Sequence, residues 1–206
     1  MRLSSTWRAW PRAALLGASV AILLAAPVVG QEPTSRPDGV SVSDEAPPLT
    51  TSAAALELQA AIPTSVAGLE LETVSFSGED IVSQADDGVP VAELEAIAAG
   101  AGVGIDDLLL ASGTADDGDR VIGILAARLG GVPAAEFTGA LTPLLLETNE
   151  GTPFVTVTVG DDEVTQVGPG TGLTGDALVY VVERGDTAWY VVTDLELLPE
   201  TLDAIP

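Results

Sequence analysis

Residues 108–129 read Leu-Leu-Leu-Ala-Ser-Gly-Thr-Ala-Asp-Asp-Gly-Asp-Arg-Val-Ile-Gly-Ile-Leu-Ala-Ala-Arg-Leu. Two apolar runs flank a polar, glycine-containing centre. Leu108–Thr114 and Arg120–Leu129 are therefore expected to be strands, folded into a hairpin by Ala115-Asp116-Asp117-Gly118-Asp119. Val121–Ala127 is apolar at both parities. A strand of that kind belongs at the centre of a sheet, with both of its faces covered.

The same reading extends outward in both directions. Upstream, Ser52 is placed to cap a helix through Ala61 with Leu56 and Ala60 on one face, and Pro63 stops it. Leu69–Ser77 reads as a strand. Leu69 and Leu71 share one parity while Val74 and Phe76 take the other, so a bulge near Thr73 is expected. Pro90 opens a helix lined by Val91, Leu94, Ile97 and Ala98, and Gly100 ends it. Downstream, Pro133 opens a helix with Phe137, Leu141, Leu144 and Leu145 at helical spacing, and Pro143 is expected to kink it. Four strands follow: Phe154–Val159, Glu163–Val167, Ala177–Glu183 and Thr187–Thr193. The first alternates valine and threonine, a half-buried pattern. Gly160-Asp161-Asp162 and Arg184-Gly185-Asp186 supply tight turns. Pro199 opens a closing helix with Leu198, Leu202 and Ile205 inside.

These elements predict an α+β fold, with a mostly antiparallel sheet of about seven strands and roughly two to four helices. The central order β-α-β-β-α-β resembles a ferredoxin-like split βαβ unit, which would imply that the later hairpin strands extend its sheet. The likeness lies in element order, and such folds carry many functions. One short echo is present. Leu58-Gln59-Ala60-Ala61-Ile62-Pro63 is similar to Leu202-Asp203-Ala204-Ile205-Pro206, as a remnant of tandem units or chance in an alanine-rich chain would produce.

Composition restricts the chemistry. The 206 residues include no His, Cys or Lys, and seven Arg stand against 31 acids. The imidazole base, thiolate nucleophile, Schiff-base amine and soft metal ligands are all missing. No disulfide is possible, and a domain of this size folds without one. The missing lysine fits a genome rich in G and C or a salt-adapted surface, and both concern habitat. Hydrophobic residues make up 47% and mean hydropathy is +0.38, so this is no disordered acidic tail.

Residues 1–30 have the form of an export signal. Arg2, Arg8 and Arg12 precede an uncharged apolar run, Ala13–Val29, and Val28 and Gly30 suit a cut before Gln31. Cleavage is expected; the alternative is an uncleaved anchor, for which the run is about the minimum length. Residues 31–51 are rich in Pro, Ser, Thr, Asp and Glu and read as a solvated spacer. Residues 52–206 read as a single domain. Beyond residue 30, four Arg face 31 acids, about −27 in charge. Nucleic acid and anionic lipid are repelled by such a chain, and cations and basic proteins are attracted.

Asp116-Asp117-Gly118-Asp119 offers carboxylates to a hard cation, but its spacing departs from calcium loops and also suits a plain turn. Asp86-Asp87-Gly88 and Asp161-Asp162-Glu163 read as solvated turn acids. Arg184-Gly185-Asp186 spells an integrin-binding tripeptide at a tight turn that needs its glycine anyway. Gly168-Pro169-Gly170-Thr171-Gly172-Leu173-Thr174-Gly175 lacks the lysine of a phosphate loop and precedes a strand, so it reads as an inter-strand loop. No G-x-S-x-G is present, and no triad can form without His. Trp189 and Tyr190 are adjacent on a strand, so one is expected in the core and the other on a sheet face.

The expectation is an exported acidic domain with no catalytic, cofactor or metal residues. It would bind a protein or cell-envelope component, secreted or at the cell surface, with diffuse cations around it. It would bind no nucleic acid, and no membrane beyond the signal segment. A glycosidase working through carboxylates alone and a cation-loaded structural surface protein are the alternatives. A buried carboxylate in a cleft would favour the first. An exposed apolar sheet edge would favour a protein partner.

Overall fold

The computed structural model describes residues 52–84, 90–148, 152–168 and 178–206. The expected signal segment (1–30), the expected spacer (31–51), Asp86-Asp87-Gly88 and Pro169–Ala177 lie outside the described residues. The fold is α+β, and the described residues form five helices, a seven-stranded antiparallel sheet and a two-stranded one. No helix among the described residues is long and apolar enough to cross a membrane.

Helix α1 (Ala53–Ala61) is capped by Ser52, whose Oγ accepts from the Ala55 N–H at 3.1 Å. Its inner face is Ala55, Leu58 and the following Ile62, and Leu56 is 51% exposed. The expected Leu56–Ala60 face is therefore wrong. Ile62, just past the helix end, must be buried. The residues stacked in line with it are Leu58 and the small Ala55. A short hairpin follows, β1 (Ser65–Val66) and β2 (Leu69–Glu70), turning through Ala67 and Gly68, both at positive φ. That is a type I′ pattern. The expected strand Leu69–Ser77 is thus broken at Leu71 instead of bulged at Thr73. β3 (Glu72–Ser77) begins only after Leu71 has turned into the core.

Helix α2 (Gly78–Gln84) was not anticipated. It is started by a reciprocal cap: Ser77 N–H and Oγ–H donate to Asp80 Oδ2, and Asp80 N–H donates to Ser77 Oγ. Then come α3 (Val91–Gly100), a 3-10 turn (Ile105–Asp107), β4 (Leu108–Asp116) and β5 (Val121–Leu129). After α4 (Ala134–Leu145), with Pro143 in its last turn, four strands run β6 (Phe154–Val159), β7 (Asp162–Val167), β8 (Val179–Arg184) and β9 (Thr187–Thr193). Helix α5 (Leu198–Ala204) follows.

The strand order is β3-β4-β5-β9-β8-β7-β6, and every neighbouring pair is antiparallel. Two meanders, β3–β5 and β6–β9, are therefore joined where β9 lies against β5. These are the strands with apolar residues at both parities, and they meet where both faces are covered. The ferredoxin-like resemblance stops at element order. A split βαβ unit joins parallel strands through its helix, but β3 and β4 are adjacent and antiparallel.

One face carries Ile122, Ile124, Ala126, Trp189 and Val191 under α1, the β1–β2 hairpin and α5. The other carries Leu108, Leu110, Ala127, Leu129 and Tyr190 under α2, α3 and α4. Trp189 and Tyr190 are 1% and 2% exposed, so neither is a surface aromatic. They point to opposite faces of β9, as adjacent strand residues must, and both pack in the core because helices cover both of those faces. The echoed Leu-to-Pro segments also have a common role. Leu58 and Ile62 end one helix, Leu202 and Ile205 end the other, and all four are buried in the same cluster.

Candidate functional site

A sheet has two edges, and this one treats them differently. At β3, the α1 side chain Gln59 donates through Nε2 to the Thr73 carbonyl (3.1 Å) and Oγ1 (3.0 Å), and its Oε1 accepts from Ser75 Oγ (2.8 Å). A helix side chain thus occupies main-chain hydrogen-bonding capacity of that edge strand.

β6 has no such cover among the described residues. It pairs with β7 on one side, and no described strand pairs with it on the other. Its ladder parity can be derived. The Gly168 N–H donates to the Pro153 carbonyl at 2.9 Å, so Pro153 faces β7. The opposite end closes through the two-residue turn Gly160-Asp161, which makes Val159 and Asp162 a hydrogen-bonded pair. Residues 153, 155, 157 and 159 therefore bond inward, and the N–H and C=O groups of Phe154, Thr156 and Thr158 point outward.

The side chains follow the same alternation. Val155, Val157 and Val159 continue the face formed by Val164, Tyr180 and Val182. Phe154, Thr156 and Thr158 lie on the other face, beside Glu163. The expected half-buried pattern holds at Val157 and Val159, which pack against the core, but Phe154 and Val155 are exposed at 47% and 49%. Sequence alternation shows that the valines share a face. It does not show that this face lies at the end of the sheet, beyond most of the helical cover.

The acidic motifs are used internally. Asp117 accepts from Arg120 Nε (3.0 Å) and Nη2 (2.7 Å), and from the N–H groups of Arg120 and Asp119. Asp116 Oδ1 accepts from the Gly118 N–H. Arg120 Nη1 also donates to the Ala67 carbonyl, while Glu200 accepts from the Ala67 N–H, so the β1–β2 tip is held from two sides. The turn organises this corner, and among the described residues no three acids gather as a metal site.

The Arg184-Gly185-Asp186 tripeptide is likewise committed. Arg184 bonds to Asp162 and to the Ile205 carbonyl. Asp186 pairs with Arg128 and accepts from Thr187, and the Gly185 carbonyl accepts from the Ala134 N–H. All three Arg of the domain thus sit in ion pairs. Asp80, the buried carboxylate among the described residues, is the α2 cap. An open depression of about 460 Å³ is lined by Asp119, Arg120, Asp194, Leu195, Glu196 and Leu197, and its one guanidinium, Arg120, is already held by Asp117. Of the Gly168–Gly175 loop only Gly168 is described, and its Cα lies against Pro153 where a Cβ would collide.

The Asp117 cluster predicts a pH signature. Hydrogen bonds from the Arg120 side chain, then from the Arg120 and Asp119 N–H groups, lower its carboxyl to about 2 from an ordinary 3.8. A depressed folded-state pKa stabilises fully above the ordinary value and is lost as pH falls through the folded one. The melting-temperature gap between wild type and Asp117→Asn should be constant above about pH 5, narrow from pH 4 to pH 2, and close below that. A gap unchanged at pH 2 would show that the carboxylate charge is not what holds the turn.

No protein-family model, no curated protein and no solved structure matches the chain. The functional reading therefore rests on its own geometry.

Proposed function

We propose that this protein is an exported, non-catalytic interaction domain. It acts at the cell envelope or outside the cell and engages a protein partner through the open edge of β6. The observation that carries this is a strand with three outward main-chain sites beside Phe154 and Val155, both about half exposed, in a domain whose other sheet edge is met by Gln59. Such an edge is a template for another chain. Supporting it, the candidate chemical groups are engaged in the fold: Asp117 and Arg120 at one corner, Arg184 and Asp186 at another, Asp80 at a helix cap. The Arg-led apolar segment at residues 13–29 supports export.

The test places a photo-crosslinking residue at Val155 or at Leu56, which is equally exposed on α1, in cells making the full chain. Protein adducts should form from position 155 and not from 56, and they should fractionate outside the cytoplasm. Equal adducts from both positions, none from either, or a cytoplasmic location would overturn the proposal.

A further inference from the structure

Resting on that reading, we infer that the β6 edge takes a basic, extended polypeptide segment as an eighth strand. Its apolar residues would lie beside Val155, Val157 and Val159, and its Lys or Arg residues over Thr156 and Thr158.

Three observations select this occupant. First, among the described residues the edge carries no guard. Sheet edges are commonly blunted by lysine, proline, a bulge or an inward charge. Phe-Val-Thr-Val-Thr-Val has none of these, and its residue types all favour strand. Second, the alternation of β6 dictates that of the guest. An added strand pairs residue for residue, so every second guest side chain continues the valine face and the others lie beside threonine. On the threonine face the neighbouring acid is Glu163, paired across from Thr158 and exposed. A guest residue opposite Thr158 sits two strand spacings from Glu163, about 10 Å, within the joint reach of a lysine and a glutamate. Exposed Asp161 lies in the turn just beyond. Third, charge selects among partners. Beyond residue 30 the chain carries about −27, and its three described Arg are all in ion pairs. A second copy brings the same excess negative charge to the edge, while a basic segment neutralises it.

The experiment uses the full chain, isotopically labelled, and three fluorescent peptides. They are alternating Lys-Val, alternating Glu-Val, and alternating Lys-Ser of the same charge as the first. The Lys-Val peptide should bind at least about tenfold more tightly than either of the others, and Thr156→Pro should weaken it by at least about tenfold. Thr156 has its N–H facing outward, so proline there removes an edge donor and leaves the β7 ladder intact. Glu163→Gln should weaken it by about threefold, a loss that added salt also produces. Amide exchange gives a readout independent of any variant's folding. On adding Lys-Val, the amides of Phe154, Thr156 and Thr158 should slow, while those of Val155, Val157 and Val159 are already protected by β7.

Equal binding of Lys-Val and Lys-Ser, or unchanged exchange at the three outward amides, would reduce the effect to diffuse electrostatics and overturn the inference. So would protection of those amides without peptide. If it came with a doubled mass, the occupant would be a second copy. If it were lost on deleting residues 31–51, the occupant would be the chain's own segment. Failure with the peptides alongside position-specific adducts from Val155 would sink the basic-segment inference alone; loss of both would sink the interaction reading as well.

Discussion

Trp189→Ala should lower the unfolding free energy by about 3–5 kcal/mol, whereas Trp189→Phe should change it by no more than about 1 kcal/mol. The contrast comes from where the indole sits. Trp189 is almost fully buried, with Ala126 on β5 and Val182 on β8 as its cross-strand neighbours. Ala126 leaves room for the large ring between the two strands. Truncation to alanine removes the largest side chain of that face and leaves a cavity under α1 and α5. The indole Nε1–H is buried and has no hydrogen-bond partner among the described residues. A buried donor left unpaired costs about 1–3 kcal/mol. Phenylalanine removes that cost together with part of the packing, and the two changes oppose each other. Urea denaturation of the three proteins, with unchanged m-values, measures this directly. If phenylalanine proves as costly as alanine, ring packing dominates and the unpaired N–H carries no penalty.

The second large effect is a reversal of sign between two glycines in helices. Gly139→Ala, in the middle of α4, should stabilise the protein by about 0.5–1 kcal/mol. A Cβ at position 139 would meet nothing within 4 Å. Gly78→Ala, at the first residue of α2, should destabilise by about 1–3 kcal/mol or more despite the same propensity gain. There a Cβ would stand 1.8 Å from the Ile105 carbonyl oxygen and 2.7 Å from its carbon. The obstacle is main chain, so no rotamer change relieves it, and either the 3-10 turn or α2 must move. Melting temperatures of the two variants should therefore shift in opposite directions. A stabilised Gly78→Ala would mean that α2 and the turn at Ile105 are not in close contact in solution.

Gly78 also shows why α2 was hidden in the sequence. Residues 78–84 are short and open on a glycine, so periodicity is silent there. A local signal was nonetheless present. Ser77 and Asp80 form the S-x-x-D spacing of a capping box, and the structure uses both side chains in that way. The β1–β2 hairpin was similarly hidden, since two-residue strands carry no alternation to read. Its tip depends on Arg120 and Glu200, which are distant in sequence.

The candidate site was legible as a strand and illegible as a site. Valine and threonine alternate along residues 154–159, which is enough to define β6 and its two faces. Nothing within those six residues says that β9 will return to pair with β5. That long-range choice sends β8, β7 and β6 outward in turn and leaves β6 at the margin. The aromatic pair was only half legible for the complementary reason. Adjacent strand residues must point to opposite faces, but whether each face is covered depends on other elements, such as α4, more than forty residues away in sequence, over Tyr190.

Local chemistry thus settled many element boundaries by itself: the cap at Ser52, the proline-led starts of α3 and α4, and the glycine turns at Gly118, Gly160 and Gly185. Apolar residues at both parities marked β5 as an inner strand before any contact was known. These outcomes depend on a few neighbouring residues, so the sequence holds them completely. The order of the strands, the rotation of α1 toward Ile62, the commitment of Asp117 and Arg184 to fold contacts, and the place of β6 at the end of the sheet were decided only by tertiary structure. Each depends on which distant surfaces are buried together, and burial belongs to the assembled chain.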